Sequence, residues 1–492
     1  MGGQLAILIC CLGVAVLFYL DRDKSVLTSN ALWVPSIWIG LASSRSVAQW
    51  FGMGAPYGLQ GSLEGNPVDS VVIGTLQALG IIVLLSRGRK TGAYLAAITP
   101  LIAYSVYCLI SVIWAPYQLP ALKRWTKDLG DVVMVLIIAM ESQPLGALRR
   151  VYSRLALILF PFSIVFIRYT TLGRMWNNDG NMSIVGVTDN KNMLGLIAFV
   201  ISLGLLWNLR WLLTNKGAPN RRGRLMAEGL VFMFGMYLLV VANSSTSKAC
   251  FLLGSVIMLS CHLRPFRQRP ALVHLLCFAI VLAGWLSGDL AASVLGRDSN
   301  LSGRTLMWAA MFLAVSNPLI GVGFDSFWTS PEAGIFHHNL NLLHWFHPEQ
   351  INEAHNGYIE VYLNLGWIGV FLIALILITG YWRAFKAFRR DPEIGSLALA
   401  IIVTGAIYSI TEAGFRTLSP VWMFILLAVV SVSSFNARLF ANETEGHSSV
   451  RKLGDGGHWG QISPEPDQEA VPMTIQVGSP WQLPDRGGRL GG

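Results

Sequence analysis

The chain has 492 residues, of which 53% are hydrophobic and 13% charged, with a formal net charge of +9. A water-soluble domain carries roughly 25% charged residues, so this composition excludes one. The apolar residues come in long unbroken blocks, the mark of a polytopic membrane protein.

Thirteen blocks read as helical spans, at roughly 4–20, 31–43, 70–86, 94–114, 130–141, 153–169, 192–209, 225–242, 248–263, 271–288, 358–381, 396–413 and 419–436. A full crossing takes about 20 residues, so the second and fifth blocks are short for the task. The first follows MGGQ, with no basic stretch before it and no small-residue cleavage site before Asp21, and reads as a retained helix. Residues 289–357 form the longest connection between spans. Within it, Thr305 to Val315 is an apolar run too short to cross a bilayer, expected to lie on or dip into the membrane surface. From 439 to 492 the chain is rich in Gly, Pro, Ser and charge without apolar period, the signature of a disordered cytoplasmic tail behind a membrane domain of residues 1–438.

Alternate loops carry the cations. Arg22 and Lys24, Arg87 to Lys90, Arg149 to Arg154, Arg210 to Arg224, Arg264 to Arg269 and Arg383 to Arg390 together hold 20 Lys and Arg, against 11 in the six opposite loops. The positive-inside bias puts the first set in the cytoplasm, and with it the C-terminus. It also accounts for much of the net charge; no basic patch with interleaved aromatics points to nucleic acid. The six cysteines (10, 11, 108, 250, 261, 277) lie in or beside apolar spans without metal-ligand spacing.

Cations on the outer face run against that bias and need a reason. They are Arg174 in YTTLGRMW, Lys191 in GVTDNKNMLG, Arg297 and Arg304 in LGRDSNLSGRTLMW, and Lys123, Arg124 and Lys127 ahead of the fifth span. They either reach lipid headgroups or hold an anionic ligand, for which the guanidinium fork suits phosphate oxygens. Arg304 and Arg174, each preceded by Gly and followed closely by Trp, favour the ligand. His355 opens the eleventh span at its outer mouth, where an ionisable group marks a functional site and a neutral imidazole can accept a hydroxyl proton. The spacing puts Tyr358 and Tyr362 on its helix face. Gly366 and Gly369 read as contacts where another helix approaches. His337, His338, His344 and His347 crowd the preceding loop in no recognisable ligand pattern.

The run HNGYIEVYLNLGWIG, from His355 to Gly369, places His, Asn, nine residues, Gly, two residues and Gly. It resembles the motif of bacterial O-antigen ligases. SGRTLMW, NPLIGVGFDSFW and GVTDNKNMLG are likewise similar to segments of the O-antigen ligase and polymerase superfamily, and the likeness covers roughly residues 165–375. The resemblance implies an all-α membrane glycosyltransferase of the GT-C kind, with about twelve spans and one long periplasmic loop, in the bacterial inner membrane. It implies transfer of a glycan from undecaprenyl pyrophosphate to an acceptor hydroxyl at the periplasmic face, with inversion and without cofactor or metal. The acceptor would be a lipid A–core sugar in a ligase, or a growing lipid-linked glycan in a polymerase of O-antigen or exopolysaccharide repeats. By the same resemblance His355 would be the general base. Arg304 would hold the departing pyrophosphate with Arg174, Lys191 and Arg297, and Asn356 and Tyr358 would orient the imidazole or touch sugar.

A polysaccharide or lipid transporter is the alternative from another class. Transporters keep ionisable groups near the bilayer midplane. Here Asp131, Glu228 and Glu412 fall toward span ends, and the informative polar residues lie outside.

Overall fold

The computed structural model describes residues 2–53, 63, 65–88, 98–176, 180–282, 304–342, 351–433 and 435. The expected disordered tail at 439–492 and Arg297 therefore lie outside the described residues, as do His344 and His347.

Helices occupy all thirteen apolar blocks. The first ten are α1 (Gly2–Leu20), α2 (Trp33–Ala42), α3 (Pro67–Ser86), α4 (Thr99–Ser111), α5 (Gln118–Ala139), α6 (Pro144–Tyr169), α7 (Lys191–Thr214), α8 (Arg221–Val241), α9 (Ser245–Ser260) and α10 (Leu272–Leu282). Two shorter helices, α11 (Arg304–Ala314) and α12 (Pro331–Leu342), belong to the long connection. Then come α13 (Gly357–Arg390), α14 (Pro392–Thr411) and α15 (Pro420–Ser433). Among the described residues seven helices, α1, α3, α6, α7, α8, α13 and α14, are long and apolar enough to cross a membrane. A two-stranded hairpin, β1 (Arg174–Trp176) on β2 (Met182–Ile184), follows α6. The chain is an all-α polytopic membrane protein.

The core lies where α7 meets α8, α9 and α6, and where α14 meets α13 and α9. Tyr152, Phe160, Phe199, Trp207, Trp422 and Phe424 are fully buried there. Gly204 lets Tyr152 lie flat on α7, since a Cβ would stand 2.0 Å from its ring. By contrast α1 and α3 leave most of their apolar side chains exposed, as helices facing lipid do.

Side-chain ties join the loops in two sets. At the cation-rich end Arg87 meets Glu141, Arg224 meets Asp21, Asp23 and Glu228, and Arg149 and Arg210 share Glu393. Arg149 also stacks on Trp207 and Trp211, and Arg154 on Trp33. At the opposite end Arg45 meets Asp189, Arg124 meets Asp325, Arg304 meets Glu412 and Arg416 meets Glu353. Each set joins loops that the charge pattern assigns to one side.

Two expectations need correction. The fifth helix is longer than 130–141, running from Gln118 to Ala139. Lys123, Arg124 and Lys127 thus sit on the helix rather than before it, and Asp131 sits well inside it. Asp131 is fully buried and accepts hydrogen bonds from Trp38 Nε1 (2.7 Å) and the Leu418 amide (3.0 Å), which satisfies both its oxygens. The second correction concerns Gly366. Its backbone, at φ +63° and ψ −164°, interrupts α13, and what approaches is a loop rather than a helix. The amides of Trp367 and Ile368 donate to Pro318 and Leu319 carbonyls, and those of Val322 and Gly323 donate to Leu363 and Asn364 carbonyls. A Cβ on Gly366 would lie 2.2 Å from the carbonyl of Leu319. Gly369 faces side chains of its own helix, Leu365 and Val361.

The segment between α10 and α13 has its own apolar cluster. Met307, Ala310 and Met311 of α11 pack with Phe327, Phe336, Leu340 and the first turns of α13. Leu306, Phe312 and Leu313 are exposed on the other face, so α11 presents apolar side chains on both faces.

Candidate functional site

The site is organised by the start of α13. Asn356 caps it, its side-chain oxygen accepting from the amides of Tyr358 (3.0 Å) and Ile359 (3.1 Å). Glu360 reaches back to the Ala354 amide (2.9 Å), and Trp328 Nε1 donates to the same carboxylate (2.6 Å). Trp308 of α11 donates to the Ala354 carbonyl (2.8 Å). Between these anchored neighbours His355 adopts φ +47°, a left-handed conformation uncommon for a residue other than Gly, Asn or Asp. The turn, not the helix, aims the imidazole.

Two carboxylates face that ring. His355 Nδ1 lies 2.8 Å from Glu353 Oε1 and 3.8 Å from Glu412 Oε2. Glu353 Oε2 is 3.2 Å from an Arg416 guanidinium nitrogen. Glu412, at the C-terminal end of α14, stands 3.8 Å from Arg304 and accepts from Asn192 Nδ2 at 3.2 and 3.4 Å. Arg304 also donates to the Thr411 carbonyl (2.5 Å). The first turn of α11, the turn before α13, the end of α14, the loop after it and the start of α7 thus converge. Burial alone would depress the imidazole pKa, but the two carboxylates outweigh it and raise it to about 9. Burial pushes Glu353 up, yet His355, Arg416 and Arg304 together hold its carboxyl below the usual range.

Glu353, His355 and Glu412 offer donor atoms within 4.8 Å of one another, close enough to share a cation. Both carboxylates already face guanidinium groups, so a divalent ion would have to break two ion pairs to enter. The donor set fits a charge-balanced proton acceptor better than a metal centre.

The structure brings together His355 and Arg304 of the residues singled out in sequence. Lys191 is exposed as the first residue of α7, next to Asn192 at the site edge. Arg174 belongs to the hairpin, where its Nε donates to the Ile167 carbonyl (2.9 Å). Asn356 is engaged in capping. The Tyr358 hydroxyl donates to the Ala406 carbonyl (3.1 Å), with its ring edge-on to Phe415. Tyr362 packs on Phe312 and Trp367. The two tyrosines therefore serve packing rather than orienting the imidazole: His355, at φ +47°, departs from the helical path before the cap.

Glu353, Glu412, Arg416 and Asn192 escaped sequence reasoning as a group. The available signal was slight: a carboxylate two residues before His355, and a Glu and an Arg in one short outer loop between apolar spans.

Residues 192–374 match the model of a family described as O-antigen ligase. The match takes in Asn192, Arg304, Glu353 and His355 and ends before Glu412 and Arg416. The exopolysaccharide production protein ExoQ of Rhizobium meliloti (strain 1021) is 28% identical over 332 residues, 63% of this chain and 71% of that protein. With the helical architecture and the motif from His355 to Gly369, these likenesses make the chain similar to the O-antigen ligase and polymerase superfamily.

Proposed function

We propose that this protein transfers a glycan from undecaprenyl pyrophosphate to an acceptor hydroxyl at the periplasmic face of the bacterial inner membrane, with inversion. The observation that carries the reading is the meeting of His355 and Arg304 on one carboxylate, each 3.8 Å from Glu412.

His355 Nδ1 faces Glu353, which leaves Nε2 for the acceptor. The acceptor oxygen bonds to the anomeric carbon as its proton passes to Nε2. The bond from that carbon to the pyrophosphate oxygen breaks, and its electron pair leaves with the pyrophosphate. Two charges develop, an imidazolium and a leaving diphosphate. Glu353 and Glu412 stabilise the first. Arg304, with Lys191 at the rim, stabilises the second, and fixed cations of this kind lower the barrier where charge grows. Arg174 and Arg297 are weaker candidates for the same anion.

Between ligase and polymerase, the relative named for exopolysaccharide production favours a second reading, polymerisation of lipid-linked repeat units. Supplying purified protein with undecaprenyl-pyrophosphate glycan, with and without a lipid A–core acceptor, separates them. Product only with lipid A–core means ligase, and a ladder without it means polymerase. In either assay His355→Ala should abolish transfer while membrane expression persists; retained transfer would remove the base.

A further inference from the structure

Behind the imidazole lies a second layer of charge that the proposed reaction does not use directly. Glu353 turns one oxygen to His355 and the other to Arg416. Arg416 in turn lines a hollow of about 30 Å³ together with Asp325, Glu360, Asn364 and Phe415. Both carboxylates of that hollow are held from elsewhere. Glu360 is fixed by Trp328 and the Ala354 amide, and Asp325 sits 3.8 Å from Arg124 of α5, which also donates to the Asp325 carbonyl.

Resting on the reading of His355 as the base, we propose that Glu353 and Arg416 are positioning residues: Arg416, which shares its hollow with Asp325 and Glu360, clamps Glu353, and Glu353 holds the proton of His355 on Nδ1 so that Nε2 keeps its lone pair toward the acceptor. An imidazole has two tautomers, and the partner of one nitrogen decides which the other presents. Glu412 cannot do this alone, because it lies farther away and is shared with Arg304 and Asn192. The charged groups acting on the ring are Glu353 from its own turn, Glu412 from α14 and Arg304 from α11; behind them Arg416, from the loop after α14, meets Glu353, and Asn192 of α7, beside the exposed Lys191, meets Glu412. Among them Glu353 makes the shortest approach, and Arg416 fixes its far oxygen. Arg416 is held in its charged form by Glu360, Asp325 and Glu353, which overcome the effect of burial.

The test reads the imidazole apart from the reaction. The full-length protein in nanodiscs is treated with diethyl pyrocarbonate across a pH series, and modification of His355 is followed by mass spectrometry. Wild type should be half reactive near pH 9, the value to which its carboxylates raise it. In Glu353→Gln the midpoint should fall by about one pH unit or more. The pH profile of glycan transfer should move the same way, and Glu353→Asp should restore part of both. Arg416→Lys, which keeps the charge but not the fork, should give a smaller shift in the same direction. It carries the test if Glu353→Gln does not fold. Unchanged midpoints and profiles in the variants would overturn the positioning role. Retained transfer in His355→Ala would instead overturn the base, and the midpoint of His355 modification stands apart from that outcome.

Discussion

Replacing Gly366 by Ala tests whether the break in α13 carries the site. At φ +63° and ψ −164° the residue occupies a region open essentially to Gly alone. Forcing Ala into it costs about 1–3 kcal/mol. The new Cβ would stand 2.2 Å from both the carbonyl carbon and oxygen of Leu319, which are backbone atoms with no rotamer to yield. The loop must therefore back away, and it is held by four backbone hydrogen bonds to α13, from Trp367, Ile368, Val322 and Gly323. Losing half of them adds roughly 1–3 kcal/mol. A total of about 2–6 kcal/mol is a large part of a typical folding free energy. Gly366→Ala should thus lower the thermal unfolding midpoint in detergent markedly, and transfer should fall because the stub bearing the His355 turn moves with the loop. Gly74→Ala on α3, where a Cβ would meet nothing within 4 Å, is the control and should behave as wild type. A Gly366→Ala protein with unchanged midpoint and full transfer would refute the argument.

Three further outcomes are expected. Wild-type transfer should climb about tenfold per pH unit from pH 7 toward 9, because an imidazole with its pKa near 9 is only about 1% neutral at pH 7 and gains its basic form as pH rises; a flat profile over that range would count against His355 as the base. Arg304→Lys should lose at least about tenfold in kcat/KM, since an ammonium does not reproduce a two-point contact with phosphate oxygens; a near wild-type value would leave Arg304 a structural role. Asn364→Leu should cost about 2–6 kcal/mol, because the Asn364 oxygen accepts from the buried amides of Ser326 (2.7 Å) and Phe327 (2.9 Å) and both would lose their partner; an unfolding midpoint equal to wild type would contradict this.

What could be seen in the sequence followed from local physics. Blocks of apolar residues found the helices, because a bilayer demands length and hydrophobicity in one continuous stretch. Cations in alternate loops separated the two ends, and the ion pairs of Arg224 and Arg416 respect that separation. His355 stood out because it is ionisable and sits at a span boundary. What stayed hidden needs the chain to return on itself. Glu412 and Arg416 lie more than fifty residues beyond His355 and reach it only when the end of α14 packs beside the start of α13. Asn356 shows a different limit: beside a histidine it reads as chemistry, while its position one residue ahead of a helix makes it a cap. Gly366 and Gly369 share a spacing typical of helix contacts, and only the dihedral angles reveal that the first is a breach through which NPLIGVG enters.

Nine residues, Gly357 to Leu365, separate the cap of α13 from its breach, and both ends are pinned. Such a stub is about 13 Å long, and each residue advances the helix by about 100°. Adding or deleting one would swing Glu360 away from the Ala354 amide or pull Asn364 from under Ser326, whatever the residue's identity. The interval between the histidine and the glycine is a gauge block: the count itself sets how far the imidazole stands above the loop and keeps Glu360 and Asn364 in register with their partners.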